Sequence, residues 1–356
     1  MFPIFQVSES VGRFLEPDAV QTETTVFHFT IKFTTAILLF FGILVSGGQY
    51  IGDPIHCFEE GPSKISFGES AMDAYCWLNS LYTVHNQNAS SYYPRSQLQS
   101  EGDTIRDQQY YKWIFLVLIT QTIMAYLPRF LWQTFCEGRN METILGLKNG
   151  GIDEENKHKP VCLKRLVEYL AVHMHTHNKY AISFFVCEVL NFVIAVGQLC
   201  VTNCFLDKGF PCLVNCLYHK DHPDSEHIYI KCLLPVNEFN GWIYYFLWYW
   251  FVSLVTATGL ALIYRLVVLL PQLRLYVLKS QAPREGLEYL SSKSQFGDWF
   301  ILVQLSNNVN PELFQDLISD LAYKLQRKIS PFSPSPPASW KSWYQNSQSA
   351  GNSIYK

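Results

Sequence analysis

Charge is scarce in this chain, and over long stretches it is missing. Only 16% of the 356 residues are Asp, Glu, Lys or Arg, against 49% hydrophobic, and the formal net charge is −3. Without a basic surplus there is no electrostatic footprint for a nucleic-acid partner. A glycine-rich phosphate loop, a nucleophile elbow and paired catalytic carboxylates are also lacking, so the chain reads as a non-enzyme with no cofactor. The first 30 residues contain no compact apolar core of the signal-peptide kind, and the first hydrophobic run is long enough to be a retained helix.

The gaps in charge have a definite length. Twenty residues separate Lys32 from Asp53, sixteen separate Lys112 from Arg129, and twenty-six separate Glu238 from Arg265. A fourth stretch, Tyr180 to Leu206, is broken only by Glu188. A helix rises 1.5 Å per residue, so roughly 20 residues cross a hydrocarbon core about 30 Å thick. The second gap is short by that measure, but Arg129 is read as snorkelling toward headgroups while Phe130, Leu131 and Trp132 extend the run. A soluble fold would have to bury four apolar helices in one domain. Four membrane spans follow, with enough polar sequence between them to hold the mean hydropathy at +0.04.

Loop charge sets the orientation. The segment between the first two spans has three basic residues (Lys64, Arg95, Arg106) against eight acids, whereas Gln133 to Lys179 has seven basic residues. Arg265, Arg274, Lys279 and Arg284 crowd the exit of the last span. Positive charge stays inside, which predicts both termini and the middle loop in the cytosol. The one N-x-S/T sequon, at Asn88, falls in the first outer loop, where a glycan could be attached.

Cysteines then sort by side. Cys57 and Cys76 lie in the first outer loop, and Cys212, Cys216 and Cys232 in the second; Cys136 and Cys162 face the cytosol. Outer thiols oxidise and inner ones stay reduced. Bridges within each loop and bridges between the loops are both open on sequence alone. Cys216 could join His219 and His222 around zinc, but in an oxidising loop a disulfide is the better reading, so no metal is expected.

Within the spans, Glu188 is an intramembrane carboxylate with Asn191 one turn away. The two read either as pore-lining polar groups or as a hydrogen-bonded helix contact. Pro128 removes a backbone donor and reads as a gating hinge or a fixed bend. Tyr244, Tyr245, Trp248, Tyr249 and Trp250 read as an interfacial belt. The first span has no charge to select ions and depends on Thr34, Thr35, Ser46 and Gln49 for polarity. His173, His175 and His177 are assigned to a solvated cytosolic helix. Beyond the last span, Asn310-Pro311-Glu312 opens a helix whose Leu313, Phe314, Leu317, Ile318 and Leu321 form a stripe expected to pack on the helix around Leu163 to Val172. A disordered tail rich in Ser, Pro, Gln and Asn follows from Ser330.

Several motifs together carry a family resemblance. Gln49-Tyr50-Ile51-Gly52-Asp53-Pro54-Ile55-x-Cys57, Tyr75-Cys76-Trp77, Tyr110-Tyr111-Lys112-Trp113-Ile114 and Pro128-Arg129-Phe130-Leu131-Trp132 lie in the first half. Cys187-Glu188-x-Leu190-Asn191, Cys232-Leu233-Leu234-Pro235-x-Asn237, Tyr264-Arg265 and Phe296-Gly297-Asp298-Trp299-Phe300 follow. In this order, from about Phe27 to Gln326, the chain resembles the innexins, the gap-junction proteins of invertebrates. The resemblance implies four-helix subunits in a ring of about eight around a pore, formed with copies of itself or other innexins and able to dock with a ring in the next cell. It further implies bridges from Cys57 to Cys232 and from Cys76 to Cys216, and an N-terminal segment, including Met1 and Phe2, at the pore mouth. There Glu9, Glu16, Asp18 and Glu23 outnumber Arg13, which predicts a mild preference for cations.

Three features depart from the family pattern. Lys112 stands where the family usually has Gln, the segment up to Cys216 is short and adds Cys212, and the first outer loop carries extra polar sequence from Asn86 to Arg106. The last two bear on docking.

The expected architecture is an all-α membrane protein with disulfide-braced outer loops and a helical cytosolic dome. Its predicted segments are 1–30 (N-terminal pore-mouth segment), 31–52 (first span), 53–111 (outer loop), 112–132 (second span) and 133–179 (cytosolic loop). They continue with 180–206 (third span), 207–239 (outer loop), 240–264 (fourth span), 265–329 (cytosolic helices) and 330–356 (tail). The predicted function is a gap-junction channel subunit in the plasma membrane, in contact with its lipids. The alternatives are an undocked hemichannel and a non-conducting adhesion or scaffold protein.

Overall fold

A computed structural model describes residues 23–50, 52, 54–59, 69–78, 81–85, 104–107, 109–134, 159–218, 228–270 and 284–329. Met1, Phe2, Asn88, Cys136, His219, His222 and the tail lie outside the described residues, as does the Cys162 side chain. The helices are α1 (Thr25–Tyr50), α2 (Glu69–Leu78), α3 (Ile114–Trp132), α4 (Lys159–Val172), α5 (Asn178–Lys208), α6 (Pro235–Leu269), α7 (Arg284–Lys293), α8 (Phe296–Asn308) and α9 (Pro311–Ile329). A 3₁₀ turn, Gln109–Trp113, leads into α3. Thr25–Gln49, Tyr110–Trp132, Asn178–Lys208 and Pro235–Val268 are long and apolar enough to cross a membrane.

The outer loops are not irregular. Strands β1 (His56–Glu59), β2 (Leu81–His85), β3 (Thr104–Asp107), β4 (Leu213–Tyr218) and β5 (Ile228–Leu233) form one antiparallel sheet in the order β1-β5-β4-β2-β3. The two loops thus interleave, because β1 pairs with β5 and β2 with β4. The strands are short, and the β1–β5 and β2–β4 pairings join segments more than a hundred residues apart, so the sheet leaves little local signal in the sequence. Leu81, Val214 and Ile230 are essentially fully buried in the sheet's core. Each stabilises the water-facing part by about 1.5–3 kcal/mol.

Contacts divide the chain into two compact units. One unit comprises Thr30–Tyr126 and Phe192–Thr256. It holds the sheet and a core running from Leu38 and Val45 of α1 through Ile114 and Leu118 of α3 to Leu247 and Phe251 of α6. Helix α5 ends within this unit at Gly209, whose φ of 73° an L side chain adopts only at a cost, and whose N–H donates to Leu206 O at 3.0 Å.

The other unit is drawn from Met1–Phe29, Leu127–Asn191 and Ala257–Lys356. Here α9 packs on α4 and α7, and Phe314, Leu317, Ile318 and Leu321 are buried. On α9 the Asp316 carboxyl is pushed up to about 6 by burial first, then by the charges of Asp320 and Glu312. Asp titrates near ~3.9 when unfolded, so the folded form binds this proton more tightly. The resulting stability is complete below about pH 4 and lost as pH rises through about 6. Asp316→Asn is therefore expected to melt above the parent at pH 7.5 and level with it at pH 4, as read by thermal denaturation in detergent.

Candidate functional site

Two clusters bring together the residues singled out by sequence. In the first, every outer-loop cysteine implied by the resemblance is oxidised. Cys57 is joined to Cys232, which faces it across the β1–β5 ladder, and Cys76 of α2 is joined to Cys216 of β4. The Asp73 carboxylate accepts the Cys57 N–H at 2.7 Å and so fixes α2 against β1. Cys212 is a free thiol, and burial followed by the Glu238 charge raises its pKa. In the same unit Gln49 Nε2 donates to Tyr111 O at 2.8 Å, and Trp77 packs on the Tyr111 ring with centroids 4.9 Å apart. Lys112 Nζ reaches Leu78 O at 3.3 Å, which holds its charge at the loop surface.

The polar groups of α1 turn inward. Thr34 accepts a hydrogen bond from Trp250 Nε1 at 3.1 Å, Thr35 bonds back to Ile31 O, and Gln49 is committed to Tyr111. The exposed face of α1 carries Phe29, Phe33, Phe40 and Ile43 instead. The aromatic belt also needs correction. Tyr244 is fully buried and Trp250 is bonded to Thr34, whereas Tyr245, Tyr249 and Trp242 stand outward. Aromatics occupy more than one face of α6, and residue type alone does not separate core from lipid surface.

The second cluster lies in the other unit. Glu188 of α5 and Arg265 of α6 form a buried ion pair, with Arg265 Nε 3.1 Å from Glu188 Oε2. The Thr24 hydroxyl donates to Glu188 Oε1 at 3.1 Å, bringing the start of α1 to the pair. The guanidinium lies over both Phe184 and Phe300, 5.6 and 5.3 Å from ring centroids that are themselves 5.2 Å apart. These cation–π contacts compensate part of its desolvation. Asn191 is buried one turn from Glu188. Arg129 does not snorkel: it is 3% exposed and sits 3.2 Å from the Glu23 carboxylate. Its helix ends inside protein at this point, so the nearest counter-charge is a neighbouring segment rather than a headgroup. Glu23 is thereby neutralised and leaves the acidic set counted at the N-terminus. Pro128 is buried within α3, where its missing N–H releases the Met124 carbonyl.

The three histidines form a turn rather than a helix. Helix α4 stops at Val172, and His175 has a φ of 72°. That left-handed geometry is held by Asp298, whose two oxygens each accept the His175 N–H at 3.0 Å. His177 Nδ1 lies 3.0 Å from Asp298 Oδ1; a carboxylate only accepts, so Nδ1 carries the hydrogen. Asp298 also accepts the Gln295 N–H, closing a capping box at the start of α8. Next to it, a Cβ on Gly297 would overlap the backbone of His177 and Asn178. Gly297→Ala should force these segments apart and cost on the order of 2–3 kcal/mol, within the range of strained close approaches. A matching loss of monodisperse protein on size exclusion would show it, and a normal elution profile would count against this packing.

Sequence reasoning named Glu188, Arg265, Arg129 and Asp298 but not their partners. By position Arg129 and Arg265 are flanking charges, and nothing local marks that the first meets Glu23, ahead of α1, and the second Glu188 of α5.

The innexin family model matches residues 23–212 and 208–325. Innexin inx2 of Schistocerca americana is 36% identical over 364 residues, covering 91% of this chain and 99% of that protein. Innexin inx2 of Drosophila melanogaster is 34% identical, with 90% and 96% covered, and Innexin shaking-B of the same species is 31% identical, with 86% and 91% covered.

Proposed function

The chain belongs to the innexin family, and from that membership we propose that it assembles, with copies of itself or other innexins, into a ring of about eight subunits that docks with a ring in the adjoining cell. As an innexin it is a multi-pass plasma-membrane protein and a subunit of gap-junction channels, which pass ions and small metabolites between cells. The docking part of the proposal rests on the outer sheet. Both loops contribute strands to it and two disulfides brace it, so little freedom is left to lose when two such rims meet.

Further roles follow within this proposal. Met1 and Phe2 belong to the pore mouth. The Glu188–Arg265 pair with Asn191 is a helix contact that anchors, through Thr24, the segment leading into the mouth. Pro128 sets a fixed bend, and Asn88 accepts a glycan. With Glu23 neutralised, Glu9, Glu16 and Asp18 against Arg13 still favour cations. No catalytic step is involved.

Paired-cell electrophysiology tests the proposal by measuring junctional and non-junctional conductance together. Junctional current with a reversal potential shifted toward the cation under a salt gradient is the expected result. Dye uptake by single cells without transfer between touching cells would replace docking with an undocked hemichannel. The short second outer loop, with 26 residues between Lys208 and Pro235, is the feature that favours that outcome. Correctly assembled rings that carry no current in bilayers would leave a scaffold.

A further inference from the structure

Two consecutive residues just ahead of α1 are each committed to a different buried ion. The Glu23 carboxylate lies 3.2 Å from Arg129 Nε of α3, and neither side chain is more than 5% exposed. The Thr24 hydroxyl donates to Glu188 Oε1 of α5, and Glu188 is paired in turn with Arg265 of α6. The helix begins at this point, because Thr24 O accepts the His28 N–H at 2.9 Å. Nearby, Phe27 is buried with its ring centroid 5.4 Å from that of Phe184, on which Trp132 of α3 also packs at 4.8 Å. The start of α1 is thus held by α3, α5 and α6 within one compact unit.

Stability alone does not call for the Glu23–Arg129 pair. At such depth an ion pair gains little or nothing over apolar side chains of similar volume. What it adds is direction, since a guanidinium and a carboxylate meet in few geometries whereas apolar surfaces slide. A single contact would leave the chain free to turn about it. A second, at the adjacent residue and toward another helix, removes that freedom.

We propose that Arg129 is a positioning residue for conduction: through Glu23, and together with the bond from Thr24 to Glu188, it fixes where and in which direction the chain leaves α1 toward the pore mouth. This inference rests on the pore-mouth reading above and names the residues that aim that segment. Arg129 directly follows Pro128, so the bend set by the proline decides where the guanidinium stands. Being 3% exposed, Arg129 acts through Glu23 and not on the permeating solute. Its influence is on the steric and electrostatic filter that the mouth provides.

Single-channel recording from rings of the full chain in planar bilayers tests the assignment. The variant combines Glu23→Ala with Arg129→Met, and the reference is a chain lacking residues 2–20. The double variant orphans no buried charge and leaves net charge unchanged, so it should form rings and melt no lower than the parent. Its unitary conductance should nevertheless shift in the same direction as that of the shortened chain, by most of that shift. Adding both substitutions to the shortened chain should change nothing further. The reversed pair, Glu23→Arg with Arg129→Glu, should restore the parent conductance. Parent conductance in the double variant, while the shortened chain differs, would overturn the positioning role and leave the pore-mouth reading standing. A double variant that forms no rings would do the same, because the pair would then serve assembly. A shortened chain that conducts like the parent, or rings that carry no current, would overturn the pore-mouth reading and this inference with it.

Discussion

Arg265→Met is expected to lower the stability of the assembled protein by about 3–5 kcal/mol, because it leaves the Glu188 carboxylate buried without its counter-charge. Two terms decide the size. The Coulombic gain of the intact pair is largely offset by the desolvation of both ions, so the pair itself contributes little; an orphaned ion keeps the desolvation and loses the gain. Among the described residues, only the Thr24 hydroxyl would still donate to Glu188. The guanidinium's contacts with Phe184 and Phe300 would be replaced by thioether–aromatic contacts of similar shape, so packing loss adds little. The double variant Glu188→Gln with Arg265→Met should recover most of the deficit, since it removes both charges. Thermal melts followed by fluorescence-detected size exclusion would separate the three proteins. A single variant as stable as the parent would show that the pair does not bear on this unit's stability.

Loss of either disulfide is the second large effect. The bridges close segments with separations of 175 and 140 residues, for which the chain-entropy relation gives about 5 kcal/mol each. Two of the spans lie inside both closed segments, and they keep their helical hydrogen bonds in lipid even when the outer sheet is lost. The freedom released is therefore that of the loops rather than of the whole segment, and about 2–3 kcal/mol is the expected cost, at the lower end of measured values. Cys57→Ser should abolish junctional conductance while circular dichroism still reports helical spans. Retained junctional current in that variant would show that pairing in the sheet suffices without the covalent brace.

The spans were legible because absence of charge is a local property, read directly from Lys32 to Asp53 or from Glu238 to Arg265. The sheet was not. Its strands are four to six residues long, and Cys57 meets Cys232 only because two distant loops converge. The same non-locality hid the partners of Glu188 and Asp298, each supplied from another part of the chain. By residue type Arg129 and Tyr244 belong at the membrane interface, whereas the packing of neighbouring elements takes both into the interior. The histidine turn resembles a helix in sequence because it contains no glycine or proline to announce the break, which depends on Asp298 from far downstream.

The bond between Cys76 and Cys216 gives the molecule a closed covalent circuit, with the second and third spans and the whole middle loop strung along it. One protease cut anywhere on that circuit opens the ring without dividing the molecule. A preparation nicked in the middle loop should therefore run as a single band on a denaturing gel until a reductant is added, and as two bands afterwards.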